Sequence, residues 1–252
     1  MIGDPVVSIV TPTYQRESRL RMLHDTIRAQ TYPRIEWLIH DDSPAPSEYF
    51  TDMDDPSVTY VHSAQRLGIS EKRNALAEMS SGEIIAHFDD DDYYAPEYVS
   101  TMVERMSQGF DLVKLSGWFL YSASRGQLGY WDLNDIDCVC YRWDATRTTA
   151  VVRMDASNNM HYRKNYLGFG FSYVYRKSLW ESIGFSGGLG EDQIFIEGAA
   201  SRFRLSHFVD ETGLCLHILH GSSSSACMPQ YVLPRFLLPR LFPAINPELL
   251  SG

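Results

Sequence analysis

The sequence predicts an α/β fold: a mostly parallel central sheet with helices on both faces. Short apolar runs, many of them β-branched, alternate with longer stretches whose apolar residues recur at helical spacing. Two of the runs end in acids and turn residues, at Asp41-Asp42-Ser43-Pro44 and at Asp89 to Asp92 before Pro96. On a parallel sheet those strand ends share one edge, where open α/β sheets bind ligands. With 252 residues, 44% hydrophobic and 21% charged, the chain suffices for one large domain.

Val6-Val7-Ser8-Ile9-Val10-Thr11 reads as a strand buried on both faces. Pro12-Thr13-Tyr14 breaks it, and Ser18 to Gln30 places Leu20, Leu23 and Ile27 at helical spacing. Ile35 to His40 forms a second strand and Val58 to His62 a short third. Leu67-Gly68-Ile69-Ser70 enters a helix from Glu71 to Met79, with Ser70 as the expected N-cap. Ile84-Ile85-Ala86-His87-Phe88 then delivers the four aspartates onto a loop that Pro96 closes before the next helix. Later, Gly170 to Tyr175 and Arg176 to Ile183 form a strand-then-helix unit. Gly187-Gly188-Leu189-Gly190 precedes Glu191-Asp192 at a helix start, and His217 and His220 sit on or just past the last strand.

Residues 111–167 are dense in aromatics: Trp118, Tyr121, Tyr130, Trp131, Tyr141, Trp143 and Tyr162. Core packing is the safer reading for at least half of them, and a stacking platform for a sugar is the alternative. Beyond Cys227 come Pro229, Pro234, Pro239, Pro243 and Pro247, which exclude a regular helix or a central strand. Residues 227–252 are therefore expected as an extended arm. Tyr231 to Leu238 would pack on the body, cover a site, or meet a second copy or a membrane surface beside Arg235 and Arg240.

The formal net charge of −10 argues against nucleic acid as a partner, because phosphate backbones would be repelled. The N-terminus lacks a basic stretch followed by an apolar one, and no run approaches the roughly 18 apolar residues of a spanning helix. Four cysteines, Cys138, Cys140, Cys215 and Cys227, show neither zinc spacing nor a disulfide framework. These features predict a cytoplasmic protein, with peripheral contact at the inner membrane face as the variant.

Four adjacent carboxylates repel one another and raise each other's pKa. Such a run persists either as a solvated turn or around a cation, and its place at a strand's carboxyl end favours the cation. Hard ions such as Mg2+ take one or two carboxylates together with substrate phosphates.

Val7-Ser8-Ile9-Val10-Thr11-Pro12-Thr13-Tyr14, Trp37 to Ser43, Gly68 through Arg73-Asn74, and Phe88 to Asp92 together resemble the GT-A glycosyltransferases of family 2. Gly190-Glu191-Asp192 and Leu216-His217-Ile218-Leu219-His220-Gly221 resemble that family's later signatures. The resemblance is close over residues 6–100 and looser over 168–222. It implies a Rossmann-like GT-A domain over 1–226, with a nucleotide-sugar half at 1–110 and an acceptor and catalytic half at 111–226. It also implies inverting transfer from a nucleoside diphosphate sugar, a UDP-sugar first, to a hydroxyl of a saccharide or lipid-linked acceptor in polysaccharide biosynthesis.

Site roles follow from the same resemblance. Thr11, Pro12, Thr13 and Tyr14 would border the base and ribose near Arg16, and Asp41 or Asp42 would accept hydrogen bonds from the base. Gly68, Lys72 and Arg73 would lie at the diphosphate, which a guanidinium fork suits. Asp91 would hold Mn2+ or Mg2+ with Asp89 as partner and Asp92 in support, although Asp90 and Asp92 share the same spacing. His220 would complete the metal site or touch the diphosphate. Asp192, with Glu191 beside it, would take the acceptor's proton. Without the resemblance, Lys72-Arg73 reads as surface charge, Glu191-Asp192 as a helix cap and His220 as a structural histidine. Two rival readings are a metal-dependent nucleotidyltransferase, which normally has a Gly-rich loop after its first strand, and a non-catalytic divalent-metal or nucleotide-binding module.

Overall fold

The computed structural model describes residues 4–135, 137–147, 149–154, 168–188, 190–223 and 226–251. The first half runs β1 (Val7–Thr13), α1 (Glu17–Arg28), β2 (Ile35–Asp41), α2 (Glu48–Thr51), β3 (Val58–His62), α3 (Ile69–Met79) and β4 (Ile84–His87). After the acidic loop come β5 (Tyr93–Tyr94), α4 (Tyr98–Met106), β6 (Leu112–Ser122), β7 (Gln127–Asp132), β8 (Cys138–Arg142) and β9 (Ala150–Met154). The last part holds β10 (Val174–Arg176), α5 (Lys177–Ile183), α6 (Glu191–Ala200), β11 (Leu205–Val209), β12 (Cys215–Leu219), β13 (Tyr231–Leu233) and α7 (Leu238–Leu241).

Alternation along the central strands divides the apolar residues between two cores, as a sheet covered on both faces requires. Val7, Ile9, Trp37, Ile39, Ile84 and Ala86 face one core with Leu20, Leu23 and Ile27 of α1 and Val99 and Met102 of α4. Val10, Leu38 and Ile85 face the other, with Leu76 of α3, Leu179 of α5 and Phe195 of α6. The sheet order is β13-β7-β6-β10-β4-β1-β2-β3, and β4, β1, β2 and β3 are mutually parallel. Their carboxyl ends, Thr13, Asp41 and the loop after His87, therefore share one edge.

Three details depart from expectation. The helix expected from Glu71 starts at Ile69, because Gly68 donates its N–H to Glu71 Oε2 at 2.6 Å, the backbone half of a capping box. Ser70 lies inside the first turn and donates its hydroxyl to Gly187 O at 2.7 Å. The strand of the later strand–helix unit, β10, runs antiparallel to both β4 and β6, so the sheet is mixed beyond β4. Tyr93 and Tyr94, expected in the loop, pair with β12.

The C-terminal tail packs on the body and is not one extended arm. β13 adds an edge strand to β7, where Pro234 immediately after it does no harm to the ladder. Phe242 is 1% exposed and meets Tyr93 and Phe119 edge-on at 5.8 and 5.7 Å between centroids. Trp118, Tyr121, Trp131 and Trp143 are buried core residues, and Tyr130 and Tyr141 are half-buried. Tyr162 lies outside the described residues. The four cysteines form no disulfide. Among the described residues no helix is long and apolar enough to cross a membrane.

Candidate active site

The acidic loop is clamped by aromatic rings before its carboxylates do anything. Phe88 is fully buried and stacks on Tyr94 at 3.8 Å, while the Tyr94 hydroxyl receives Asp89 N–H at 3.0 Å and donates to Phe171 O at 2.9 Å. From that anchor the four side chains alternate. Asp90 turns inward, taking Thr13 Oγ1 at 2.6 Å and Arg16 Nη1 at 2.7 Å. Asp92 also turns inward, taking Ile218 N–H at 2.9 Å and meeting His217 Nδ1 at 2.8 Å. Asp89 and Asp91 turn outward, with side chains 32% and 13% exposed. Asp91 Oδ2 meets Arg16 Nη1 at 2.7 Å and His220 Nε2 at 2.9 Å, and Asp89 Oδ1 lies 3.8 Å from Arg73 Nη2.

The electrostatics show an excess of negative charge. Burial, opposed by Arg73 but reinforced by the other aspartates, pushes Asp89 up to about 7. Burial and the Asp91 charge push Asp90 up to about 6 against Arg16 and Thr13. Burial raises Asp92 too; burial also opposes the charge of His217, but Asp92 and Cys227 lift His217 well above the ordinary histidine value. Asp91 is held down at about 2: burial opposes its ionisation, but the His220 hydrogen bond and the Arg16 charge prevail. One oxygen each from Asp89, Asp91 and Asp92 lie within 4.8 Å of one another. An all-carboxylate set with two members raised by burial, and further by their acidic neighbours, fits a hard divalent cation.

Around the strand ends expected to border a nucleotide, several side chains are held by other parts of the protein. Thr11 is fully buried, donating its hydroxyl to Phe88 O and accepting from Trp37 Nε1, each at 2.9 Å, so its side chain joins strands. Asp41 accepts from Ser43 N–H, the Ser43 hydroxyl and Tyr60, and Asp42 from Lys72, Arg66 and Leu67 N–H. Both carboxylates are buried among these protein donors. Lys72, expected at the diphosphate, is buried with its ammonium on Thr13 O at 2.9 Å and Asp42 at 2.8 Å. Pro12 and Tyr14 are half-buried at the edge, and Gly68 is the exposed cap described above. Gln15 bends the chain there with φ 53, a left-handed conformation, and donates its N–H to Ser43 Oγ at 2.7 Å.

Arg73 joins the acidic loop to the later signature. It is buried, and Nη1 lies 2.7 Å from Glu191 Oε1. Glu191 is buried in that pair, while Asp192 stays half-buried and accepts Gly170 N–H on Oδ2 at 2.9 Å and Gln193 N–H on Oδ1 at 2.8 Å. Both acids stand in the first turn of α6. Gly170 has to be glycine: a Cβ there would lie 2.8 Å from Arg73 Nη1 and 2.9 Å from Asp192 Cβ.

Two residues escaped the sequence reading. Arg66 is 57% exposed and lays its guanidinium 3.6 Å over the Tyr14 ring while contacting Asp42. Lys114 is 1% exposed and donates to Gly168 O. A lone cation inside Leu112-Val113-Lys114-Leu115 was the visible signal for the second, since lysine is rarely buried. Arg66 carried no signal beyond its place just ahead of Gly68.

The family model described as glycosyl transferase family 2 matches residues 8–182. A glucosyl-dolichyl phosphate glucuronosyltransferase of Haloferax volcanii is 31% identical over 119 residues, 44% of this chain and 37% of that protein. The first curated relatives are similarly longer: the chain spans 20% to 40% of their length. Among solved structures, Staphylococcus aureus TarS 1-349 in complex with UDP-GlcNAc superposes with a TM-score of 0.60 at 18% identity, over 87% of this chain and 61% of that one. Mannosyltransferase PcManGT of Pyrobaculum calidifontis, in complex with GDP-Man and Mn2+, gives 0.57 at 16% identity over 86% and 57%.

Proposed function

The chain belongs to glycosyl transferase family 2, and from that premise we propose that it transfers a sugar, with inversion, from a nucleoside diphosphate donor to a hydroxyl acceptor. One observation carries the reading. Asp89 and Asp91 face outward with oxygens close enough to share an ion, and Arg73 ties their loop to the helix start that presents Asp192. Asp89 and Asp91, supported by Asp92 and His220, would hold Mn2+ or Mg2+, which would supply positive charge to the departing diphosphate. Asp90 keeps Arg16 and Thr13 in place beside the outward-facing carboxylates. Asp192 accepts the proton of the acceptor hydroxyl as that oxygen forms its bond to the anomeric carbon, and the bond to the diphosphate breaks on the opposite face.

TarS with UDP-GlcNAc and PcManGT with GDP-Man support a nucleotide-sugar donor, and the Mn2+ of the latter supports the metal. A UDP-sugar is the donor we assign first. The donor half is 1–110 and the acceptor half 111–226. The Haloferax relative's name supports a lipid-linked acceptor in glycan assembly. Exposed Tyr231, Val232 and Phe236 beside exposed Arg235 and Arg240 suit contact with an anionic membrane face. Calorimetry with UDP- and GDP-sugars, with and without Mn2+, tests the proposal. Metal-dependent donor binding and release of the nucleoside diphosphate are expected, and Asp91→Ala should lose both while staying folded. Pyrophosphate release would instead identify a nucleotidyltransferase, and full turnover under chelator would remove the metal.

A further inference from the structure

β6 carries one charged side chain, Lys114, in the middle of the sheet. Leu112, two residues away on the same face, belongs to the core that also contains Tyr173 and Phe195. An ammonium in that setting is disfavoured by desolvation, which pushes Lys114 down to about 7 against the attraction of Asp192. A leucine or methionine would fill the same volume without that penalty.

Three contacts of the Lys114 ammonium fall on one short turn. Its ammonium donates to Gly168 O and lies 5.9 Å from the ring centres of both Phe169 and Tyr173. Phe169 stands in the left-handed region at φ 68, a conformation that disfavours a bulky side chain and needs outside support. The next residue, Gly170, points its N–H at Asp192 Oδ2 at 2.9 Å and its carbonyl at His87 Nδ1 at 3.0 Å. Tyr173 closes the arrangement by donating its hydroxyl to Asp192 O at 3.3 Å.

We propose that Lys114 is a positioning residue for Asp192: by holding the Gly168 carbonyl it fixes the Phe169 turn, so that Gly170 N–H fixes one oxygen of the carboxylate that takes the acceptor's proton. The catalytic half of this inference rests on Asp192 acting as that base; the structural half does not. The two substitutions that separate them are Lys114→Met, which removes charge and donor, and Lys114→Gln, which keeps an N–H for Gly168 O. Replacing a buried ammonium by an apolar group of similar volume is commonly neutral or stabilising, so the unfolding midpoint checks that lost activity is not lost fold.

In unliganded full-length protein, Lys114→Met should accelerate exchange of the Gly170 amide on the order of tenfold. The transfer kcat should fall on the order of 10- to 100-fold, as misplaced catalytic groups do, with the donor KM near its original value. Lys114→Gln should recover part of both. Unchanged Gly170 exchange in Lys114→Met overturns the proposal, and so does accelerated exchange with kcat intact. If Asp192→Asn keeps wild-type kcat, the base assignment fails by itself, and Gly170 exchange still reports whether Lys114 holds the turn.

Discussion

Replacing Arg73 by methionine removes the cation that lies 2.7 Å from Glu191 and 3.8 Å from Asp89. Arg73 and Glu191 are each 6% exposed, so water has little access to take over the charge left behind. Breaking a buried pair from one side destabilises a protein by about 3–5 kcal/mol, because the remaining charge is stranded. For a chain of this size that corresponds to a fall of roughly 6–20 °C in unfolding temperature. Burial already holds Glu191 above the ordinary carboxylate range despite Arg73, and without Arg73 it rises further. A carboxyl whose folded pKa exceeds its unfolded one opposes folding increasingly as pH rises from the unfolded value to the folded one. The loss should therefore be small in acid and full at high pH. Adding Glu191→Gln neutralises the stranded group and should restore most of the midpoint at neutral pH. Urea unfolding of the two single variants and the double, at several pH values, gives the coupling. A loss under about 1 kcal/mol, or no recovery in the double variant, would refute the view that Arg73 is held in place by buried carboxylates.

Asp192→Asn should bind donor as before and lose transfer by about 10²–10⁴-fold, as removal of a general base does; single-turnover assays with saturating donor decide it, and a wild-type kcat points to another base. Phe236→Asp combined with Arg235→Ser should abolish co-sedimentation with anionic vesicles and leave neutral vesicles unaffected; binding that survives, or a dimer that dissociates in the variant, assigns the tail to another role. Gly213→Ala should destabilise by about 1–3 kcal/mol, because Gly213 has φ +89 and a Cβ would lie 2.5 Å from the Leu241 carbonyl oxygen. An unchanged urea midpoint in that variant would mean the α7 end moves aside freely.

Particular elements show how far the chain could be read in one dimension. β1 and β4 were legible because both faces of each are buried, which leaves an uninterrupted apolar run. Helix α1 was legible from Leu20, Leu23 and Ile27, and the tail's prolines announced its irregularity. The direction of β10 was not legible, since three residues fit either hand of pairing and the neighbours that decide it, Ile85 and Leu112, lie 90 and 63 positions away in sequence from Tyr175. Nor was Lys72's burial, because a lysine beside Arg73 looks like surface charge until Asp42 and Thr13 O close around it.

The amino-acid order by itself determined the α/β alternation, the shared edge of acidic strand ends and the family motifs, because periodicity and short spacings are local properties. Which carboxylates face outward was decided only when Thr13, Arg16, His217 and Ile218 arrived from segments distant in sequence and claimed Asp90 and Asp92. Likewise, Arg73 could join Asp89 to Glu191, and Gly170 could reach Asp192, only after the sheet had brought them together. Hydrogen bonds and ion pairs act over a few ångströms of space, and sequence distance does not encode that separation.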